Sequence, residues 1–161
     1  MPANAQNRSS KNFQGLQDGH DHCLNSIETI FKIQYYYMPV INLTLKDFKD
    51  KIFDFENEKE WKYVGNKPAI IDFYADWCGP CKAVAPVLDE LAVEFENEII
   101  IYKVDTDKEA EMSSMFGIQS IPTFLFIPVG EPPMIQNGAI PKKAFEKVIR
   151  ERLLDKTTQP G

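Results

Sequence analysis

The sequence is short of the residues that most often cross-link a small protein or bind metal in it. Its 161 residues include three cysteines and two histidines. Three cysteines are too few, and odd in number, for a disulfide framework. Both histidines, His20 and His22, stand beside Cys23 near the N-terminus, far from the other two cysteines. No apolar run approaches the roughly twenty residues that cross a bilayer, so no membrane partner is expected. Basic residues are in the minority, with 18 Lys and Arg against 24 Asp and Glu and a net charge of −6. Lys and Glu are mixed along the helical stretches and leave no basic face, which argues against nucleic acid as a partner. The 43% hydrophobic content is that of a soluble globular protein, and the length suits one domain with a real core.

The informative cysteines lie in Trp77-Cys78-Gly79-Pro80-Cys81, followed by Lys82. Two thiols separated by two residues can close into a small disulfide ring and reopen without unfolding the chain, which is redox chemistry. Half of a zinc site is an alternative reading. A tetrahedral site needs two further Cys or His ligands at comparable spacing, and the remaining candidates lie more than fifty residues upstream. A purely structural bridge is the other alternative, although so short a loop constrains the unfolded chain little.

Residues 1–37 differ from the rest. MPANAQNRSSKNFQGLQDGHDH is polar and aperiodic and reads as disordered. The stretch CLNSIETIFKIQYYY is broken by Asn25, Glu28, Lys32 and Gln34 and lacks the pattern of a secretory signal. Leu24, Ile27, Ile30, Phe31 and Tyr35 recur at helical spacing, so residues 24–38 can form a short helix. Cys23 is expected as an ordinary free thiol. Met38 opens MPVINLTLKDF, a start suited to a compact domain. Residues 1–37 are therefore expected as a disordered extension or as the product of a start codon assigned too early, residues 38–155 as the domain and residues 156–161 as a flexible tail.

From Met38 onward helical and strand signals alternate. Thr44 with an acid three residues on predicts a capped helix whose apolar face is Leu45, Phe48 and Ile52. Residues 54–67, with Trp61, Tyr63 and a Gly65-Asn66 turn, form a connection with no assigned role. Pro68 to Ala75 is nearly all apolar and predicts a strand covered on both faces, interrupted by Asp72. A helix follows from about Cys78 to Asn97, bent at Pro86, with Val84, Val87, Leu88, Leu91 and Phe95 buried. A strand over 99–106, a short helix over 108–116 closed by Gly117, a strand over 123–128, a weaker strand over 134–137 and an amphipathic helix starting with Pro141 complete the pattern. The expected fold class is α/β, a central mixed sheet with helices on both faces and the cysteine motif at a strand's C-terminal end.

The run Ile71-Asp72-Phe73-Tyr74-Ala75-Asp76-Trp77-Cys78-Gly79-Pro80-Cys81-Lys82, with Ala85-Pro86, Lys103-Val104-Asp105, Ile121-Pro122-Thr123, Gly130 and Gly138 downstream, resembles thioredoxin over residues 43–154. The resemblance implies the thioredoxin fold and protein-disulfide reduction by dithiol exchange. Cys78, at the first helical or capping position, where unpaired N–H groups stabilise a thiolate, is the attacking nucleophile. Cys81, one turn further in and less exposed, resolves the mixed disulfide. Asp72, a carboxylate within an apolar strand, is implied as proton acceptor for Cys81 with a raised pKa. Lys103 matches the family's lysine near that acid, and is either its tuning charge or a solvated strand lysine. Ile121-Pro122 matches the family's cis-proline, which leaves the Ile121 backbone free to pair with an extended client segment. Trp77, Gly79, Pro80, Ile121, Pro122 and Gly138 form the implied docking surface, unless Trp77 merely packs the loop.

Three features depart from the family's pattern. Ser120 stands where many members have Gly, Asn137 replaces an apolar residue before Gly138, and Pro132-Pro133 stiffens the turn after Gly130. The expected protein is a cytoplasmic, monomeric electron carrier in cell redox homeostasis. It needs no metal or organic cofactor beyond the Cys78–Cys81 pair, is recharged by a thioredoxin reductase and serves disulfide-containing client proteins. The alternatives are a non-catalytic binding subunit that uses the same surface, and a periplasmic or exported thiol oxidase or isomerase.

Overall fold

The computed structural model describes residues 40–155. The expectations for residues 1–37, the helix at 24–38, Cys23, the start at Met38 and the tail at 156–161 lie outside the described residues. The described chain runs β1 (Val40–Asn42), α1 (Leu45–Lys51), β2 (Ala69–Tyr74), α2 (Gly79–Glu94), β3 (Ile100–Asp105), α3 (Ala110–Met115), β4 (Thr123–Ile127), β5 (Met134–Asn137) and α4 (Lys142–Val148). A π-helical turn, Ile149–Leu153, continues α4.

The strands form one mixed sheet in the order β1-β3-β2-β4-β5. β3 is parallel to both β1 and β2, while β4 is antiparallel to β2 and β5. Side chains alternate across a strand, so β2 feeds both faces. Ile70 joins Val84, Leu88, Leu91 and Phe95 of the α2 side, with Phe124, Phe126 and Phe145, in one core. Ala69, Ile71 and Phe73 join Phe48 and Ile52 of the α1 side, with Met112 and Val104, in the other. Each fully buried Phe, Leu or Ile contributes roughly 2 kcal/mol from removal of apolar surface from water. Asp72 shares the parity of Ile70 and therefore looks toward α2, where the cysteines are.

Local chemistry explains the element ends. The Thr44 hydroxyl oxygen accepts from the Asp47 N–H at 3.1 Å and caps α1 as expected. α2 begins one residue after Cys78 and ends at Glu94, earlier than the expected Asn97, because Glu98 and Ile99 both turn back to the Phe95 carbonyl. It passes through Pro86 without interruption. α3 starts at Ala110 because the Asp105 carbonyl takes the N–H groups of Lys108 and Glu109 in a turn. Gly117, at φ +60°, closes it. Pro141 is the residue before α4 and not its first residue.

Two features were not anticipated. β1 exists because its three residues pair with Ile101–Lys103. The connection at 54–67 has a packing role: Trp61 stacks on Phe53 at 5.0 Å, and both cover the α1-side core together with Phe55 and Tyr63.

Candidate functional site

Strand β2 ends at Tyr74, and four residues later Cys78 occupies the N-cap of α2 with φ −80° and ψ 107°. That extended backbone turns its Sγ over the first helical turn, where it accepts from the Cys81 N–H at 3.2 Å. Gly79 and Pro80 fill the first two helical positions, where proline forfeits no intrahelical bond, and both are exposed. Cys81 then lies one turn in, and the two sulfurs are joined by a disulfide of 2.08 Å with Cα atoms 5.3 Å apart. Cys81, expected as the less exposed of the two, is so only marginally in this disulfide state. Cys78 is 4% exposed and Cys81 3%, because the ring draws both into a small cluster with Ala75 against Tyr74 and Ile121.

Behind the disulfide, Asp72 is buried, and among the described residues no hydrogen-bond partner reaches its Oδ1. Desolvation pushes its carboxyl up to about 7, against a smaller downward pull from the Lys103 charge. Lys103 faces Asp72 directly across the parallel ladder. It is half-buried, with Nζ 5.8 Å from the centroid of the Tyr74 ring, so it is not a freely solvated strand lysine. A cavity of about 210 Å³ is lined by Asp72, Tyr74, Asp76, Cys81, Lys82 and Lys103. It puts the buried acid and the second cysteine on one small space.

On the outer side, the Ile121–Pro122 bond is cis and Ile121 packs against the disulfide cluster. Gly138, at φ +82°, donates its N–H to the Pro122 carbonyl at 2.8 Å, and the positive φ explains why glycine stands there. Trp77 is 70% exposed, which excludes a role in packing the loop, and its Nε1 donates to Asp107 Oδ2 at 2.9 Å. The structure thus gathers all ten residues named from the sequence around one strand-to-helix junction. It adds Asp107 and Tyr74, which the sequence reading did not select. Asp107 lies thirty residues from Trp77, and only the return of β3 beside β2 brings them together. Among the described residues no three His, Cys, Asp or Glu side chains converge as a metal-binding group.

A dithiol that closes at a helix N-terminus, at the C-terminal end of a central strand and against the residue before a cis-proline, defines a thiol–disulfide oxidoreductase of α/β architecture. Comparison with known proteins agrees: residues 39–151 match the thioredoxin family. The chain is 52% identical over 111 residues to the thioredoxin of Borreliella burgdorferi, covering 69% of this chain and 95% of that protein. It is 34% identical over 147 residues to the chloroplastic M-type thioredoxin of Spinacia oleracea, covering 88% and 78%. It is 44% identical over 86 residues to the thioredoxin of Haemophilus influenzae, covering 53% and 80%. The chain belongs to the thioredoxin family and is a protein-disulfide reductase. Family members carry electrons on the dithiol itself and need no prosthetic group.

Proposed function

We propose that the Cys78–Cys81 dithiol reduces disulfides in client proteins inside the cytoplasm, that a thioredoxin reductase restores it, and that the protein works as a monomer. The observation that carries this reading is the placement of Cys78 at the cap of α2, in one cluster with Ile121 of the cis Ile121–Pro122 bond, with a buried acid on the same cavity as Cys81. The Cys78 thiolate attacks one client sulfur; the client disulfide breaks and its other sulfur leaves as a thiolate that takes up a proton. Cys81 gives its proton to Asp72, directly or through water in the cavity, and its thiolate attacks the Cys78 sulfur. The mixed disulfide breaks, the second client thiolate leaves, and the Cys78–Cys81 disulfide forms. Two electrons pass to the client, and the reductase returns two to the pair.

Lys103 moderates the proton affinity of Asp72 by its charge. Trp77, Gly79, Pro80, the Ile121 backbone, Pro122 and Gly138 form the face on which the client segment lies. The Gly-Pro dipeptide between the cysteines resembles that of the family's reducing members, which supports a reducing role. NADPH-dependent insulin reduction with a thioredoxin reductase tests this reading. Turnover by the native protein and none by C78S or C81S is expected; turnover that survives C78S, or an inactive native protein, overturns it. Client exchange by C81S that stops at a covalent complex releasable by dithiothreitol assigns attack to Cys78 and resolution to Cys81.

A further inference from the structure

Strand β5 holds the turn before cis-Pro122 by more than backbone pairing. Thr123 and Asn137 are register partners at the ends of β4 and β5. The fully buried Thr123 places its Oγ1 2.7 Å from the Ser120 carbonyl oxygen and 2.9 Å from Asn137 Oδ1. A hydroxyl carries one hydrogen and cannot donate fully to two oxygens. Turning the terminal amide of Asn137 by 180° exchanges its O and N and removes the conflict. Asn137 Nδ2 then donates to Thr123 Oγ1, which donates to the Ser120 carbonyl. The bridge closes over Ile121 and cis-Pro122, and a second tie, Gly138 N–H to the Pro122 carbonyl, lies beside it. The backbone of Asn137 is held in turn, because Gln136 Nε2 donates to its carbonyl at 2.7 Å.

We propose that Asn137 is a positioning residue for client docking: through the Thr123 hydroxyl it fixes the Ser120–Pro122 turn that lays the Ile121 backbone beside the dithiol. Asn137, one of the departures noted in the sequence, becomes one end of the bridge, and the backbone carbonyl of Ser120 is the other. The inference rests on the reading that clients pair with the Ile121 backbone. Asn137 touches neither cysteine in this arrangement, so its loss acts on client affinity and leaves thiol reactivity alone.

The test mixes pre-reduced protein with increasing insulin and, separately, with dithiobis-nitrobenzoate, a small disulfide that needs no groove. N137A is expected to raise the half-saturating insulin concentration about fivefold, the equivalent of one ordinary hydrogen bond. Its limiting rate and its rate with the small disulfide stay within about twofold of native. T123V behaves like N137A, T123S like the native protein, and the double variant N137A/T123V is no worse than T123V alone. Asn137 is exposed, so N137A carries the test even if T123V folds poorly. Unchanged half-saturation in N137A, an equal loss with the small disulfide, or full additivity in the double variant overturns the proposal. W77A separates the two levels: if it weakens insulin saturation while N137A does not, only the bridge fails. If W77A also has no effect, the docking reading fails and the bridge with it.

Discussion

Asp72 and Lys103 stand opposite each other across the ladder of β2 and β3, yet the ammonium of Lys103 lies over the Tyr74 ring and Asp72 Oδ1 carries no hydrogen bond among the described residues. The lysine therefore offsets only part of the desolvation of the acid, whose pKa stays near 7.

The first consequence is for stability. The Asp72 carboxyl is raised from 3.8 to about 7 on folding, so between those values the native state binds a proton that the unfolded chain has lost. Stability falls as pH rises through that window, and the deficit is complete above about 7. At about 1.4 kcal/mol per unit the full effect is roughly 4 kcal/mol. Asp72→Asn should therefore match the native protein near pH 4 and exceed it in denaturant unfolding at pH 8; an equal difference at both pH values excludes this origin.

Activity should carry the same signature. If Asp72 accepts the Cys81 proton, the resolution rate rises as pH passes through about 7. Asp72→Asn flattens that rise in stopped-flow measurements of client release, and a profile left unchanged removes Asp72 from the reaction.

The Trp77–Asp107 hydrogen bond is exposed at its acceptor and should contribute about 1 kcal/mol to holding the indole in place. Asp107→Ala is expected to shift the indole N–H resonance and weaken client saturation severalfold, while Asp107→Asn, which keeps an acceptor oxygen, restores much of both. An indole resonance that does not move in Asp107→Ala contradicts the contact.

Glu109 ties two helices together. Its Oε2 accepts from the Leu45 N–H at 3.0 Å, across 64 residues, at the positive end of α1. Glu109→Ala should cost about 1 kcal/mol in unfolding free energy, in the range of a lost N-terminal cap. Glu109→Gln should cost less, and neither should alter thiol reactivity.

The site was largely legible because its parts announce themselves locally. WCGPC follows a nearly continuous apolar strand, and Asp72 stands out because a lone carboxylate has no local reason to lie in such a run. Elements of the same kind, β2, β4 and α2, also showed in their apolar patterns. β1 did not, since three residues without a full alternation carry no signal until β3 pairs with them. Trp61 could not be placed because its partner, Phe53, is set by how the 54–67 connection folds over α1. The similar burial of Cys78 and Cys81 follows from closing the ring, which helix position alone does not convey. Asn137 showed only as an unusual residue, and its link to Thr123 depends on hairpin register.

The reductant assignment is tested most directly by equilibrating the Cys78–Cys81 pair with glutathione buffers and reading the fraction oxidised by thiol alkylation. A reducing pair has a potential below the cytosolic poise of about −240 mV, so it is largely disulfide in buffers set there and becomes a dithiol only in more reducing ones. A pair that is still a dithiol at that poise and turns to disulfide only in far more oxidising buffers, near the roughly −120 mV of a strong dithiol oxidant, contradicts the assignment.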